Sequence, residues 1–239
     1  MSTRQYLEER RKKDQKRKSL MLGFIIGGSL LVVTAIALAI ISVTRVTLSP
    51  RQIIQPEIST SIQSDRNTLG DPDAPVVIEE FSDFGCTHCA SFALETKKLL
   101  EEEYVKEGKV YLVFHSVGSL LGSSATVLAA EAAYCAGDQD AFWPYHDLVF
   151  ANQLRLFQNR GGNISPSLGT FAEVLDLDQN QFNSCLSSGK FQSLVSQDLV
   201  IAKASNVTGT PSFLINGNFF QGNQPIENFR KIIEEELAK

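Results

Sequence analysis

Val76-Val77-Ile78-Glu79-Glu80-Phe81-Ser82-Asp83-Phe84-Gly85-Cys86-Thr87-His88-Cys89 reads as a strand, a turn and a helix start carrying two thiols. Behind Pro75, the run Val76–Phe81 is rich enough in branched and aromatic residues for a buried strand. Ser82–Gly85 is turn material. Beyond the cysteines, Phe92, Ala93, Leu99, Leu100 and Tyr104 fall at spacings that predict one apolar helix face. Gly108 closes that helix, and Lys109–Phe114 alternates into a second strand.

A CxxC at this junction has chemical consequences. Two cysteines three apart at a helix start can close a small disulfide. The first thiol meets unpaired N–H groups and the positive end of the helix dipole, both of which favour a thiolate. His88, between the cysteines, offers positive charge or a hydrogen bond to the same sulfur. Cys86 is therefore the expected nucleophile and Cys89 the resolving thiol. Stabilising the thiolate favours the reduced form, so the disulfide is expected to oxidise other proteins. Two rival readings exist. Half of a zinc site would need further ligands, yet Cys135 and Cys185 are isolated and no HxxxH or second CxxC appears. An inert structural disulfide is the other, although this spacing is rarely used merely for stapling.

Phe81 to Cys89, taken with Gly209-Thr210-Pro211-Ser212-Phe213, resembles the DsbA-like branch of the thioredoxin superfamily. The likeness extends through Ala132-Ala133-Tyr134-Cys135-Ala136, Phe142-Trp143-Pro144-Tyr145-His146-Asp147 and Leu214-Ile215-Asn216-Gly217. The resemblance implies an α/β thioredoxin domain over 67–239 with an inserted helical subdomain, about 120–206. It also implies that Pro211 is the cis-proline beside the active disulfide and that Thr210 offers backbone hydrogen bonds to a substrate strand. Glu80 matches the buried acid that relays a proton for the resolving cysteine; without the likeness it would read as a solvated strand-end acid. The family's Pro-His dipeptide is replaced by Thr87-His88, which bears on the strength of oxidation. Phe114-His115-Ser116-Val117-Gly118 lacks the proline common there in relatives. No cofactor is implied beyond the Cys86–Cys89 disulfide. The implied partners are reduced or unfolded exported proteins and a membrane reoxidant of the DsbB or vitamin K epoxide reductase-like type.

In an exported domain an even cysteine count favours pairing. Relatives with cysteines in both motifs resemble a structurally paired Cys135–Cys185, the alternative being two buried free thiols. The bond would close a loop of about 51 residues, worth about 4 kcal/mol in the chain-entropy model.

Upstream, residues 1–19 carry Arg4, Arg10, Arg11, Lys12, Lys13, Lys16, Arg17 and Lys18 against Glu8, Glu9 and Asp14. Residues 20–43 follow without a charge. As a helix they would reach about 36 Å, enough to cross a hydrocarbon core of about 30 Å. The positive-inside rule then predicts a cytoplasmic tail, a single-pass signal anchor in the cell membrane and an extracytoplasmic remainder. A cleaved signal peptide competes, but Ala35-Ile36-Ala37 and Ala37-Leu38-Ala39 lie inside the apolar run rather than after it. Residues 44–66, with Pro50, Pro56 and Ser59-Thr60-Ser61, read as a linker.

The averages exclude other classes. With 43% hydrophobic and 21% charged residues, the 239-residue chain is neither wholly disordered nor a multi-spanning membrane protein. Four cysteines are too few for a disulfide-dense miniprotein, and a net charge of −5 argues against general nucleic-acid binding. Helical patterning is expected over Ala125–Ala136, Ala141–Asn152, Leu168–Leu177, Gln179–Ser188 and Phe191–Ala204. Asn216-Gly217 predicts a type I′ hairpin, followed by a last helix with its stripe at Ile226, Phe229, Ile233 and Leu237.

Smaller signals get bland readings. His146 is read as packed or capping, and His115 has no identifiable partner. Asp176-Leu177-Asp178-Gln179-Asn180 imitates an EF-hand start, but Gln181 and Ser187 stand where glycine and glutamate belong. Asp178 is read as a helix N-cap. Asn163-Ile164-Ser165 and Asn206-Val207-Thr208 match glycosylation acceptors and are discounted.

The expected function is an extracytoplasmic thiol:disulfide oxidoreductase that donates disulfides to exported proteins. A reductase or isomerase on the same fold, and a redox-inactive binding or chaperone module, are the alternatives.

Overall fold

The computed structural model describes residues 16–17, 21, 31–36, 48–57, 62–118, 123–158 and 162–239. The chain falls into two units, Met1–Arg45 and Val46–Lys239. In the first, residues 31–36 are helical and expose Leu31, Val32, Val33 and Ile36. No helix among the described residues is long and apolar enough to cross a membrane. Most of the basic tail and of the expected span lies outside the described residues.

The second unit opens with a 3-10 turn at Pro50–Gln52 and a short hairpin, β1 (Ser64–Asp65) and β2 (Thr68–Leu69). Next come β3 (Val76–Ser82), a long helix α1 (residues 87–105) and β4 (Val110–Ser116). Among the described residues six helices follow: α2 (Ser124–Gly137), α3 (Phe142–Ala151), α4 (Gln153–Leu156), α5 (Ser165–Val174), α6 (Gln179–Ser188) and α7 (Gln192–Ala204). The finish is β5 (Ser212–Ile215), β6 (Asn218–Gln221) and α8 (Ile226–Leu237).

One mixed sheet of order β1-β2-β4-β3-β5-β6 results. β3 and β4 run parallel from Val76↔Val110 to Ser82↔Ser116, joined by α1, and β5 lies antiparallel on the other side of β3. This is the thioredoxin arrangement, with α2 to α7 inserted between its βαβ and ββα halves. β3 is central because it pairs with both β4 and β5, and its largely covered faces match the apolar residues Val76, Val77, Ile78 and Phe81. Asn216 (φ 47) and Gly217 (φ 81) make the β5–β6 turn in the left-handed conformations a type I′ hairpin requires.

α1 consists of Thr87–Ser91, Phe92–Thr96, Lys97–Leu100 and Glu101–Val105, the second and fourth wound as π turns. Each π turn slips the helical phase. As a result Leu99, expected on the buried stripe, is 43% exposed, while Thr96, Lys97 and Glu101 turn inward.

Two apolar zones flank the helix. Phe92 packs on Phe213 and Phe229 at 4.6 and 5.6 Å between ring centroids. Phe84 packs on Phe114 and Phe150 at 5.5 and 4.8 Å. Each ring so buried contributes about 2 kcal/mol. In the insertion, Cys135 on α2 and Cys185 on α6 are joined by a disulfide with Cα atoms 5.8 Å apart. The Asp178 carboxylate accepts the N–H groups of Asn180 and Gln181, capping α6.

The linker reading needs correction. Ser64–Asp65 pairs with Thr68–Leu69, and residues 48–57 are seated on the insertion rather than free. Ile53 is buried, and Asn152 bonds both the N–H and the C=O of Ile54, each at 2.8 Å. Leu48 N–H reaches Ser167 Oγ at 2.9 Å, and Arg155 Nη1 reaches the Gln52 carbonyl at 2.5 Å. These contacts are made largely by backbone groups of 48–57, so no side-chain pattern in the segment announces them.

Candidate active site

The end of β3 delivers the chain into a tightly held loop. The buried Asp83 carboxylate accepts the Gly85 N–H at 2.9 Å, and its carbonyl accepts the Cys86 N–H at 2.9 Å. Gly85 is required by close approach: a Cβ there would lie 2.7 Å from Thr126 Cγ2 of α2. Cys86 is then the N-cap of α1, in an extended conformation with φ −86 and ψ 123. Thr87 and His88 are exposed on the first turn, whereas Cys89 points inward and is buried. Both thiols are free, so this is the dithiol form.

The two sulfurs have opposite environments. Cys86 is pulled down to about 5. A hydrogen bond from the Cys89 thiol is the largest influence; burial opposes it, and the Thr210 side chain and the N–H groups of Cys89 and His88 reinforce it. Of the positive charge or hydrogen bond expected from His88, the structure supplies a hydrogen bond from its backbone N–H. Burial pushes Cys89 well above the usual thiol range, and the neighbouring Cys86 pushes it further. The Cys86 thiol donates to the Thr210 carbonyl at 3.4 Å, and the Thr210–Pro211 bond is cis. Chain segments 124 residues apart therefore meet at one sulfur.

Residues 63–235 match the family model described as Thioredoxin. A probable disulfide bond formation protein D of Bacillus cereus is 33% identical over 179 residues, covering 74% of this chain and 81% of that protein. The chain belongs to the DsbA-like branch of the thioredoxin family. Among solved structures, oxidised BdbD from Bacillus subtilis superposes with a TM-score of 0.65 at 24% identity, covering 78% of this chain and 99% of that one. Wolbachia pipientis alpha-DsbA1 gives a TM-score of 0.64 at 21% identity over 80% and 96% of the two chains. Both likenesses speak for the fold.

Behind this DsbA-like site lies a buried charge cluster. Glu80 shares a β3 face with Ser82, is 1% exposed, and its Oε1 has no hydrogen-bond partner among the described residues. Burial pushes its carboxyl up to about 7, and the Ser82 hydroxyl and Lys97 charge offset only part of that. Lys97 is fully buried, with its Nζ 2.5 Å from Glu101 and 3.1 Å from Asp147, over the Trp143 ring at 5.2 Å. His146, also buried, bonds Asp147 through Nδ1 at 2.8 Å and packs on Phe84, Phe114 and Phe150. Its packed reading therefore describes it, while Lys97 escaped sequence reasoning because Lys97 and Glu101 at i, i+4 look like an ordinary surface pair.

The opposite sheet face corrects the reading of His115. The ring stacks on Phe81 at 5.0 Å and is held by Asp198 at 2.9 Å and Glu79 at 3.2 Å. Asp198 on α7 also takes the Tyr134 hydroxyl at 2.7 Å and the Ser116 N–H at 3.0 Å. Burial disfavours the imidazolium, yet the Asp198 and Glu79 hydrogen bonds prevail and raise His115 to about 9. This network ties α7 and α2 to the sheet on the face away from Glu80.

Proposed function

We propose that the chain is a membrane-tethered, extracytoplasmic thiol oxidase that donates its Cys86–Cys89 disulfide to exported proteins. The observation that carries this reading is the asymmetry of the thiols, an accessible Cys86 with a low pKa beside a buried Cys89 with a high one. A substrate thiolate attacks the Cys86 sulfur, and the S–S electron pair leaves on Cys89, which takes up a proton. A second substrate thiolate then attacks the substrate sulfur of the mixed disulfide and expels Cys86 as a stable thiolate. The substrate loses two electrons and this protein gains them.

Glu80, neutral or ionised near neutral pH, is suited to exchange the proton of Cys89. Thr210 presents the carbonyl against which a substrate strand would lie, beside Pro211. Thr87 and His88 tune the exposed rim. The disulfide is the only redox group this cycle needs. A quinone-linked membrane protein of the DsbB or vitamin K epoxide reductase-like type would restore it. The basic residues of 1–19 and the uncharged stretch 20–43 support a single-pass anchor with the catalytic domain outside the cytoplasm.

Equilibrating the full chain with glutathione tests the direction. A reduction potential near −120 mV supports oxidation; one near −270 mV, the thioredoxin end, rejects it.

A further inference from the structure

A side chain of the insertion ties down the backbone of the active loop. Gln153, the first residue of α4 and 4% exposed, donates from Nε2 to the Phe84 carbonyl at 2.6 Å and to the Cys86 carbonyl at 2.8 Å. The Cys86 carbonyl also accepts the Ala90 N–H at 3.1 Å, closing the first turn of α1. Both carbonyls that bracket Gly85 are thus tied to a single amide. Gln153 is itself held in place, because Asn152 before it bonds the Leu148 carbonyl and both backbone groups of Ile54. Two adjacent residues, Asn152 and Gln153, thus connect the docked segment 48–57 to the N-cap of the active helix by their hydrogen bonds.

We propose that Gln153 is a positioning residue for thiol exchange: it fixes the N-cap backbone so that the His88 and Cys89 N–H groups stay aimed at the Cys86 sulfur. An N-cap peptide is the hinge about which such N–H groups would swing, and a side-chain amide spanning two carbonyls removes that freedom. The contact is also polarised in a useful sense. Donors on the carbonyls leave less negative potential facing the thiolate than bare carbonyl oxygens would. The other groups facing Cys86 are Cys89 from α1, Asp83 from the loop and Thr210 from the segment before β5.

The proposal rests on the exchange reading above, and its test separates the two. Gln153→Met keeps the volume and removes both donors; Gln153→Glu keeps the shape and sets a carboxylate against the carbonyls. Titrating the Cys86 thiolate by its ultraviolet absorbance in the full, reduced chain should show the midpoint raised by about one unit in Gln153→Met, an about tenfold loss of thiolate at a given pH. The rise should be larger in Gln153→Glu. Midpoints that stay with the unmodified chain in both variants, whatever happens to thermal stability, overturn it. A thioredoxin-like potential in the unmodified chain together with shifted midpoints rejects the oxidase reading and leaves Gln153 in its role. An oxidising potential with unmoved midpoints does the reverse.

Discussion

Replacing Cys89 with alanine should partly undo the acidity of Cys86. The hydrogen bond from the Cys89 thiol is the largest influence holding Cys86 at about 5. A hydrogen bond to a charged group is worth about 1.5–3 kcal/mol, and one pKa unit corresponds to about 1.4 kcal/mol. Losing it should therefore move the midpoint to about 6–7, short of the ordinary thiol value, because the Thr210 side chain and the two N–H groups remain. At about pH 6 the intact dithiol should be about nine-tenths thiolate and the variant half or less. The assay is thiolate absorbance against pH on reduced protein, where Cys89 contributes nothing in the acid range because it titrates well above the normal value. Coincident curves for the variant and the intact chain would refute the assignment to Cys89. A midpoint for the intact chain near 8.5 would refute the acidic site altogether.

Four further outcomes are expected. With Cys86 ionised and Cys89 protonated, reduction takes up one proton per two electrons, so the potential should fall by about 30 mV per pH unit above pH 5 and twice as steeply below it. Glu80 has a raised pKa, so its contribution is complete below about 4.5 and is lost as pH rises through about 7. Glu80→Gln should thus stabilise by up to about 3 kcal/mol at alkaline pH and by nothing at pH 4 in urea melts. His115 is raised as well, and its about 3 kcal/mol should be present below pH 6.5 and fade through about 9, so His115→Gln should flatten that alkaline loss. Removing Cys135 and Cys185 together should cost up to about 4 kcal/mol on thermal melting while the Cys86 midpoint stays put.

How much of this was legible follows the range of the interactions. β3, the start of α1, the β5–β6 hairpin and α8 are written in short periods of two or 3.6 residues and in turn chemistry. The cis Thr210–Pro211 bond and the Cys135–Cys185 bond were reached through likeness to a family, since neither is encoded by spacing. The phase of α1 was misread at Leu99 because a π turn leaves no mark in hydrophobic periodicity. Gln153, His115 and Asn152 were missed or misjudged for a common reason. Their partners lie 67, 83 and 98 residues away, and a polar side chain carries no local sign of which distant carbonyl or carboxylate it will meet.

The sequence by itself determined the chemistry available: two thiols three apart, a helix start that favours an anion, and a strand to deliver them. It also pointed to Cys86 as the thiol that ionises, but how far the two thiols are driven apart was decided only by the tertiary structure. Folding leaves Cys86 half-buried under N–H groups and a donor from its partner, and drives Cys89 into the core. Burial penalises a charge and directed hydrogen bonds reward it. Both depend on what surrounds the sulfur in space, and in this chain those surroundings come from α1, the end of β3 with the loop after it, and the Thr210–Pro211 segment together.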